Sequence, residues 1–478
     1  MEHLPLDKHD VTVSWKGPKD PENPRNWSKG RKWTNVLIIS AQATISPVAS
    51  TFLAVTDLTV ADDFHVTNVY LPSLPVAVYV LGLGLGPLFL APCSELYGRR
   101  IVFLTAFFLF TILNAGCAVA PNMAALALLR FATGMAGSAG PGLGAGIVSD
   151  MFEPKERGKA QAVYGLGPQG GPVLGGVIGA FLLELTGNWR WLLWLMTMAS
   201  IPMNTLSFCL LRETYEPVLF EWKAKKLREE TGDSTYRVKN EIRPRELFLH
   251  AMTRPFRMLF TVPICTVLSL YTSLVVGIFF IQLTTLPLLF GPIPEFGLFS
   301  YKWEHGLDGL AYLGGGLGLV WATLIGIFGL NRSRKWMATH FGNGEGRPEF
   351  RLPLLFLGML LIPVGLFLFG WCAQARAHWV LPLLGAAIFS CGMQIAYVSI
   401  QVYTVDTFRT YAASALAANA VARGVVGCFL TILGFKVFES LDYGWGSSLL
   451  AFVALAALPV PVVLYIYGSK LRERTIES

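Results

Sequence analysis

Long apolar runs constrain this chain more than any other feature. A pass along it finds roughly twelve stretches of about 20 residues rich in Leu, Ile, Val, Phe, Ala and Gly, the length a helix needs to cross a lipid bilayer. They lie near 34–56, 69–92, 101–120, 123–147, 160–184 and 190–211, and after a polar interval near 258–286, 307–330, 352–372, 378–401, 411–434 and 446–468. With 53% hydrophobic and 14% charged residues in 478, there are too few charges to cover a soluble surface. A multispanning all-α membrane protein is the expected class. The first 33 residues carry Pro, Lys, Arg and Asp where a signal peptide would place a basic start and a short apolar core, so the first span is expected to direct insertion.

Charge divides unevenly between alternate loops. Lys and Arg collect in the N-terminal tail, at Arg99 and Arg100, at Lys155, Arg157 and Lys159, in 212–257, between Arg332 and Arg351, and after Lys470. The other loops hold Asp57, Asp62, Asp63 and Glu295, so the positive-inside rule places both termini in the cytoplasm. The formal charge of +7 is therefore a topology signal, and nucleic-acid binding is not expected because the cations form no single patch. Of seven cysteines, Cys117, Cys209, Cys265, Cys372, Cys391 and Cys428 lie within spans and Cys93 at the end of the second; they read as buried small residues, with no disulfide framework or metal spacing. The interval 212–257 splits the spans six and six. The expected organisation is a tail (1–33), a six-helix bundle (34–211), a cytoplasmic linker (212–257), a second six-helix bundle (258–468) and a short tail (469–478). Within the linker, Glu221 to Glu230 suits an amphipathic surface helix.

Ionisable residues inside spans are costly and are functional suspects by default. Arg130 sits well inside the fourth span, with Gly134 and Gly137 on nearly the same face. It can act electrostatically on a neighbouring acid or an anionic substrate, or it can simply bond backbone carbonyls. Arg423, in the eleventh span, is open to the same two readings. No Asp or Glu lies clearly mid-span; Asp57 and Glu184 sit at span ends. Polar or aromatic residues at suitable depth are Gln42, Thr44, Tyr271, Gln282, Gln394 and Tyr397, each of which could line a substrate path or bond a neighbouring helix. The abundant Phe, 32 in all, fits either a broad apolar cavity or a lipid-facing surface. Enzyme chemistry is not expected: Gly82, Gly84 and Gly86 lie inside an apolar run without the strand and acid of a dinucleotide site, no phosphate loop appears, and His305 and His378 fall in loops. No cofactor is implied.

Two motifs carry a family resemblance. In the fifth span, Gly158, Gly167, Gly171-Pro172 and Gly175-Gly176 follow a fixed spacing, and Gly167, Gly171, Gly175 and Gly179 form one smooth stripe on a helix that Pro172 would bend. After the second span comes Ala91-Pro92-Cys93-Ser94-Glu95-Leu96-Tyr97-Gly98-Arg99-Arg100. The chain resembles the fungal twelve-span drug:proton antiporters of the major facilitator superfamily, a likeness that continues through Trp189-Arg190-Trp191, Glu213-Thr214-Tyr215, Arg254-Pro255-Phe256, Tyr403 with Asp406, and Asn419 with Arg423. A faint internal echo, Asp150-Met151-Phe152 against Asp406-Thr407-Phe408, agrees with two related halves.

The resemblance implies a major facilitator fold of two six-helix bundles and a substrate site near the bilayer midplane between the first, fourth, seventh and tenth spans. It implies that the fifth-span glycines mark an exporter and that Arg130 serves proton coupling. It also implies a cytoplasmic gate in which Glu95, Gly98, Arg99, Arg100, Asp150, Arg157 and Asp406 pair when that side is closed. The expected function is proton-driven efflux of a small organic compound (a drug, toxin or secondary metabolite) by a monomer in the plasma membrane, with the vacuolar membrane as the alternative. Export of an anionic metabolite such as a dicarboxylate, or a nutrient sensor that has lost transport, are the competing readings.

Overall fold

The computed structural model describes residues 11–463 and 465, apart from 16, 18–19, 67, 69, 233–234, 238–243, 293–296, 305, 342–348, 350–351 and 409–410. The tail 469–478, Glu295, His305 and Arg351 thus lie outside the described residues.

Fifteen helices follow in order: α1 Lys29–Phe52, α2 Asp57–Asp63, α3 Leu74–Tyr97, α4 Arg99–Ala118, α5 Met123–Gly137, α6 Ala139–Met151, α7 Pro154–Thr186, α8 Arg190–Leu210, α9 Glu216–Thr231, α10 Pro244–Thr261, α11 Pro263–Phe290, α12 Tyr312–Phe341, α13 Leu352–Gln374, α14 Val380–Phe408 and α15 Ala412–Ala456. At 1.5 Å per residue, a helix the length of α1 or α3 is about 36 Å long, enough to cross a bilayer with some tilt. The fourth span is the α5–α6 pair, which meets at Ser138. The last two spans are joined in α15, whose only non-helical backbone is at Asp442 (φ 53°, ψ −179°). Local chemistry sets the ends: Ser28 and Asn122 accept the first free amides of α1 and α5, and Pro opens α7, α9 and α11, where its missing N–H is harmless.

The N-terminal bundle is α1 and α3–α8, with α1 packed along α7, α3 on α5 and α4 on α8. In the C-terminal bundle α13 packs on α14 and α11 on α15, and the bundles meet where α3 crosses α15 and α7 crosses α12. One face carries the N-terminal segment and linker helices α9 and α10; we call it the linker face, and its opposite the far face. One apolar core belongs to the N-terminal bundle alone. A larger one runs through the C-terminal bundle and takes in Leu53, Val76, Val80, Leu126 and Val173 from the far halves of the N-terminal helices. The bundles are thus sealed together toward the far face. Large side chains such as Phe108, Leu128, Phe208, Phe260, Trp321 and Phe429 are exposed around the circumference, as a lipid-facing belt requires.

Candidate functional site

The glycine stripe of α7 lies against α1. A Cβ on Gly171 would fall 2.6 Å from Pro47 Cβ, one on Gly167 would meet the Ser40 carbonyl at 2.7 Å, and one on Gly175 would collide with Val48 and Thr51. Without side chains there, hydrogen bonds can cross between the helices: Ser40 Oγ donates to the Tyr164 carbonyl (2.9 Å) and Thr51 Oγ1 to that of Pro172 (2.7 Å). Pro172 has no N–H to offer the carbonyl four residues earlier, the usual cause of a bend. α7 nevertheless runs unbroken through it. Gly176, one residue round, faces the other bundle and receives the Tyr312 ring at the head of α12. Gly158 lies in the helical start of α7. The candidate motif therefore has two working faces, one within the bundle and one across the interface.

Arg130 is wholly buried. Its Nη2 donates to the Ala49 carbonyl (2.7 Å), its Nε reaches toward that of Pro75 (3.5 Å), and its guanidinium lies 4.1 Å from the centre of the Tyr79 ring. Tyr79 is fixed in turn by Ser46. Nη1 has no hydrogen-bond partner. Within electrostatic reach lies Asp57, 2% exposed at the start of α2, with neither carboxylate oxygen hydrogen-bonded. Tyr312 is close enough to feel the same carboxylate. A buried carboxylate without a donor is costly in its ionised form. Proton uptake and approach of the free Arg130 Nη1 are the two ways to meet that cost.

On the linker face Gly98 turns the chain between α3 and α4 at φ 103°, a conformation that side chains resist. Glu213, at the end of the α8 segment, accepts from the amides of Arg99 and Arg100 (both 3.0 Å) and from those of Thr214 and Tyr215 (both 2.9 Å). One carboxylate thus caps α4 and ties α8 to it. Arg99 reaches Asp150 (3.5 Å), Ser94 Oγ (2.6 Å) and the Tyr215 ring (4.7 Å), and Asp150 also accepts from Thr214 (3.4 Å). Burial, with the nearby Glu95 carboxylate, holds the Tyr215 hydroxyl above its ordinary range, so it stays neutral. Arg157 donates to the Ser149 carbonyl (3.2 Å). Gly98, Arg99, Arg100 and Asp150 therefore meet with Glu213 in one brace, built within the N-terminal bundle, with Glu95 near Tyr215 and Arg157 bonded beside Asp150. Asp406 lies near the end of α14, in the C-terminal bundle. Glu213 was legible in the sequence only as part of the family likeness and not as a member of the gate; its place two residues after the sixth span was the available signal.

The remaining candidates separate by partner. Gln42 bonds α8 at both ends of its amide, donating to Asn204 Oδ1 (2.6 Å) and accepting from Ser207, and Asn204 goes on to Thr111 (2.8 Å) on α4. Thr44 donates to the Ser40 carbonyl (2.7 Å) beneath Gly167. Both therefore face helices of their own bundle. In the C-terminal bundle, Gln282 on α11 and Gln394 on α14 are buried with Nε2 unpartnered, as is Asn419 Oδ1 on α15. Tyr271 is buried on α11, and Arg423 donates to the Tyr397 hydroxyl (2.6 Å). Tyr397 comes within electrostatic reach of Tyr164 on α7, so this last pair sits beside the interface.

The family model for the Major Facilitator Superfamily matches residues 36–431. The chain is similar to the MFS transporter cpaT of Aspergillus oryzae, at 44% identity over 96% of this chain and 91% of that one. It is also similar to the efflux pump radE of Floropilus chiversii, at 38% identity over 96% and 84% of the two chains. Among solved structures, the partially occluded, inward-open xylose transporter XylE of E. coli shares the fold, with a TM-score of 0.66 and 15% identity over 92% of this chain and 98% of that one. Matched by the family model over most of its length and by fungal transporters almost from end to end, the chain belongs to the Major Facilitator Superfamily and is a multi-pass membrane transporter, not an enzyme.

Proposed function

We propose that this chain exports a small organic secondary metabolite by alternating access, driven by inward movement of protons. The carrying observation is Asp57, a buried carboxylate with no hydrogen-bond partner, beside an Arg130 whose Nη1 is free. Direction is supported by the two-faced glycine motif of α7 and by the printed description of radE as an efflux pump. In this reading the linker face is cytoplasmic, with both termini, and the protein works as a monomer in the plasma membrane.

With the far face closed, Asp57 is buried within electrostatic reach of Tyr312, whose ring packs on Gly176. Opening that face parts α12 from α7 and exposes Asp57 to the outside, where it takes a proton. Closure returns the neutral acid to a dry site. Swinging Arg130 Nη1 onto the carboxylate favours the ionised form and releases the proton inward. The open amides of Gln282 and Gln394 and the Arg423–Tyr397 pair then serve substrate, whose polar groups they can bond. Arg130 itself, enclosed by Ala49, Pro75 and Tyr79, is poorly placed to take an anionic metabolite. The sensor reading drew its support from the absence of a carboxylate carrier, a role Asp57 can fill.

A growth screen of transporter-deficient yeast across toxins and organic acids identifies a transported compound, and flux into proteoliposomes with and without a pH gradient tests the coupling. Accumulation should follow the gradient and fail in Asp57→Asn. Accumulation indifferent to the gradient would overturn proton coupling, and protection against organic acids alone would overturn the substrate class.

A further inference from the structure

A cavity of about 560 Å³ opens on the linker face, away from the interface between bundles, among the N-terminal segment, the linker-face ends of α1 and α4, the end of α8, and α9. Its wall carries five cations, Arg31, Arg100, Arg212, Lys223 and Lys226, against two carboxylates. Both carboxylates are engaged: Glu22 pairs with Lys223 (3.2 Å), and Glu213 is held by four backbone amides. Lys223 is also bound by Asp20 (3.1 Å), and Lys226 by Glu230 (3.8 Å). That leaves three arginines. Arg31 and Arg212 are near enough to repel each other, and neither has a carboxylate within salt-bridge distance among the described residues. Arg100 donates to the Phe208 carbonyl (2.9 Å) while its buried Nε has no acceptor.

The rest of the lining is apolar. Trp15, Trp27, Trp222, Leu211 and Leu219 contribute to it, Arg31 lies over the Trp27 ring (4.8 Å), and Cys209 joins it to the exposed Phe208 and Leu210 of α8, part of the lipid-facing belt. Trp222 is 54% exposed, the posture of an aromatic at the level of lipid headgroups. We infer that this cavity binds the phosphate of an anionic phospholipid in the leaflet on the linker face, with Arg31, Arg212 and Arg100 on the phosphate oxygens and the acyl chains leaving along Cys209 and α8. Guanidinium forks match phosphate geometry, and an anion between Arg31 and Arg212 converts their repulsion into two charge-assisted contacts. A free organophosphate would use the same cations, but it has no use for the tryptophan wall or its continuity with the lipid belt. Bound there, the lipid holds the N-terminal segment and α9 against the brace around Glu213.

The full chain, purified in detergent, is titrated with dioctanoyl phosphatidylinositol, dioctanoyl phosphatidylcholine, inositol phosphate and inorganic phosphate, reading thermal unfolding and retained lipid by native mass spectrometry. Phosphatidylinositol should raise the unfolding temperature and stay bound, and phosphatidylcholine should do neither. Arg31→Gln with Arg212→Gln should weaken the anionic lipid at least about tenfold, whereas Lys225→Gln with Arg332→Gln, equal in charge but outside the cavity, should leave it unchanged. The exposed Arg212→Gln alone should weaken binding in the same direction, and it serves if the double variant does not assemble. Equal responses to the two lipids, or undiminished binding by the arginine variants, would overturn the site. Inositol phosphate or inorganic phosphate binding as tightly as the lipid would overturn its assignment to a membrane ligand.

Discussion

Two sets of buried polar side chains, one in each bundle, differ in how they are satisfied. In the N-terminal bundle Gln42, Asn204, Ser207 and Thr111 form a chain across α1, α8 and α4, Tyr79 locks onto Ser46, and Glu213 and Asp150 are surrounded by donors. The C-terminal bundle leaves Gln282 Nε2, Gln394 Nε2 and Asn419 Oδ1 without partners. Buried polar atoms are normally satisfied, so open ones call for an occupant or a function. The Gln42 set is thus a brace within its bundle, whereas Gln282, Gln394 and Asn419 keep hydrogen-bonding capacity that cargo could use. The N-terminal bundle has open buried atoms too, on Asn35, Asp57, Arg99, Arg100, Asn114, Arg130 and Arg157, and among these Asp57 and Arg130 Nη1 are the exceptions expected to change partners during transport.

The largest effect should come from those exceptions. Asp57→Asn keeps the size and removes the proton site, so gradient-driven flux should fall by at least about 100-fold, ~2.7 kcal/mol, while exchange of substrate across proteoliposomes without a gradient persists. Because the variant removes only the costly ionised form, its thermal stability should equal or exceed that of the parent. Exchange lost along with driven flux would mean that Asp57 serves substrate or folding. Arg130→Lys should not rescue function, since an ammonium cannot hold the Ala49 carbonyl and offer a second planar donor to Asp57.

The route from sequence to this picture was uneven for physical reasons. Apolar runs reveal spans because the bilayer imposes length, and the Gly167, Gly171 and Gly175 stripe is visible because helical periodicity places those residues on one side. Depth along a span says nothing of which neighbour a side chain meets. Gln42 and Gln394 looked alike on that basis, yet one lies against α8 and the other keeps an open amide. Asp57 was visible as a residue at the end of a span; that it is buried near Arg130 depends on how α2 folds back, a tertiary fact. Glu213 looked like the start of a linker, and only the approach of α8 to the Gly98 turn makes it a cap.

The comparison sharpens on a matched pair of substitutions. Gln42→Leu strands Asn204 and Ser207 and should cost about 1–3 kcal/mol of stability, read as a lower unfolding temperature in detergent. Gln394→Leu removes an amide whose nitrogen has no partner, so stability should fall less than in Gln42→Leu. It should instead raise KM about fivefold to tenfold if that amide meets substrate, with turnover little changed, the signature of lost uniform binding. Equal destabilisation by both variants would erase the distinction between the bundles.

Glu213→Gln is the finest test of the braced half. The single amide oxygen can replace only one side of the carboxylate, Oε1 facing the Arg99, Thr214 and Tyr215 amides or Oε2 facing that of Arg100, so the negative charge at the α4 N-terminus disappears and the amide nitrogen opposes a donor. The expected loss is about 1 kcal/mol, at the lower end of the range for Gln42→Leu because the oxygen keeps part of the set. Asp150→Asn weakens the Arg99 pair, which is partly exposed at 14% and 24% of the two side chains, and should cost still less. If these contacts only hold α4 and α8 together, the two variants should alter stability with flux unchanged. If the brace also transmits the rocking of the bundle, turnover should fall with KM unchanged, and more in Glu213→Gln than in Asp150→Asn, because Glu213 holds two backbone amides of the α3–α4 turn from the segment after α8.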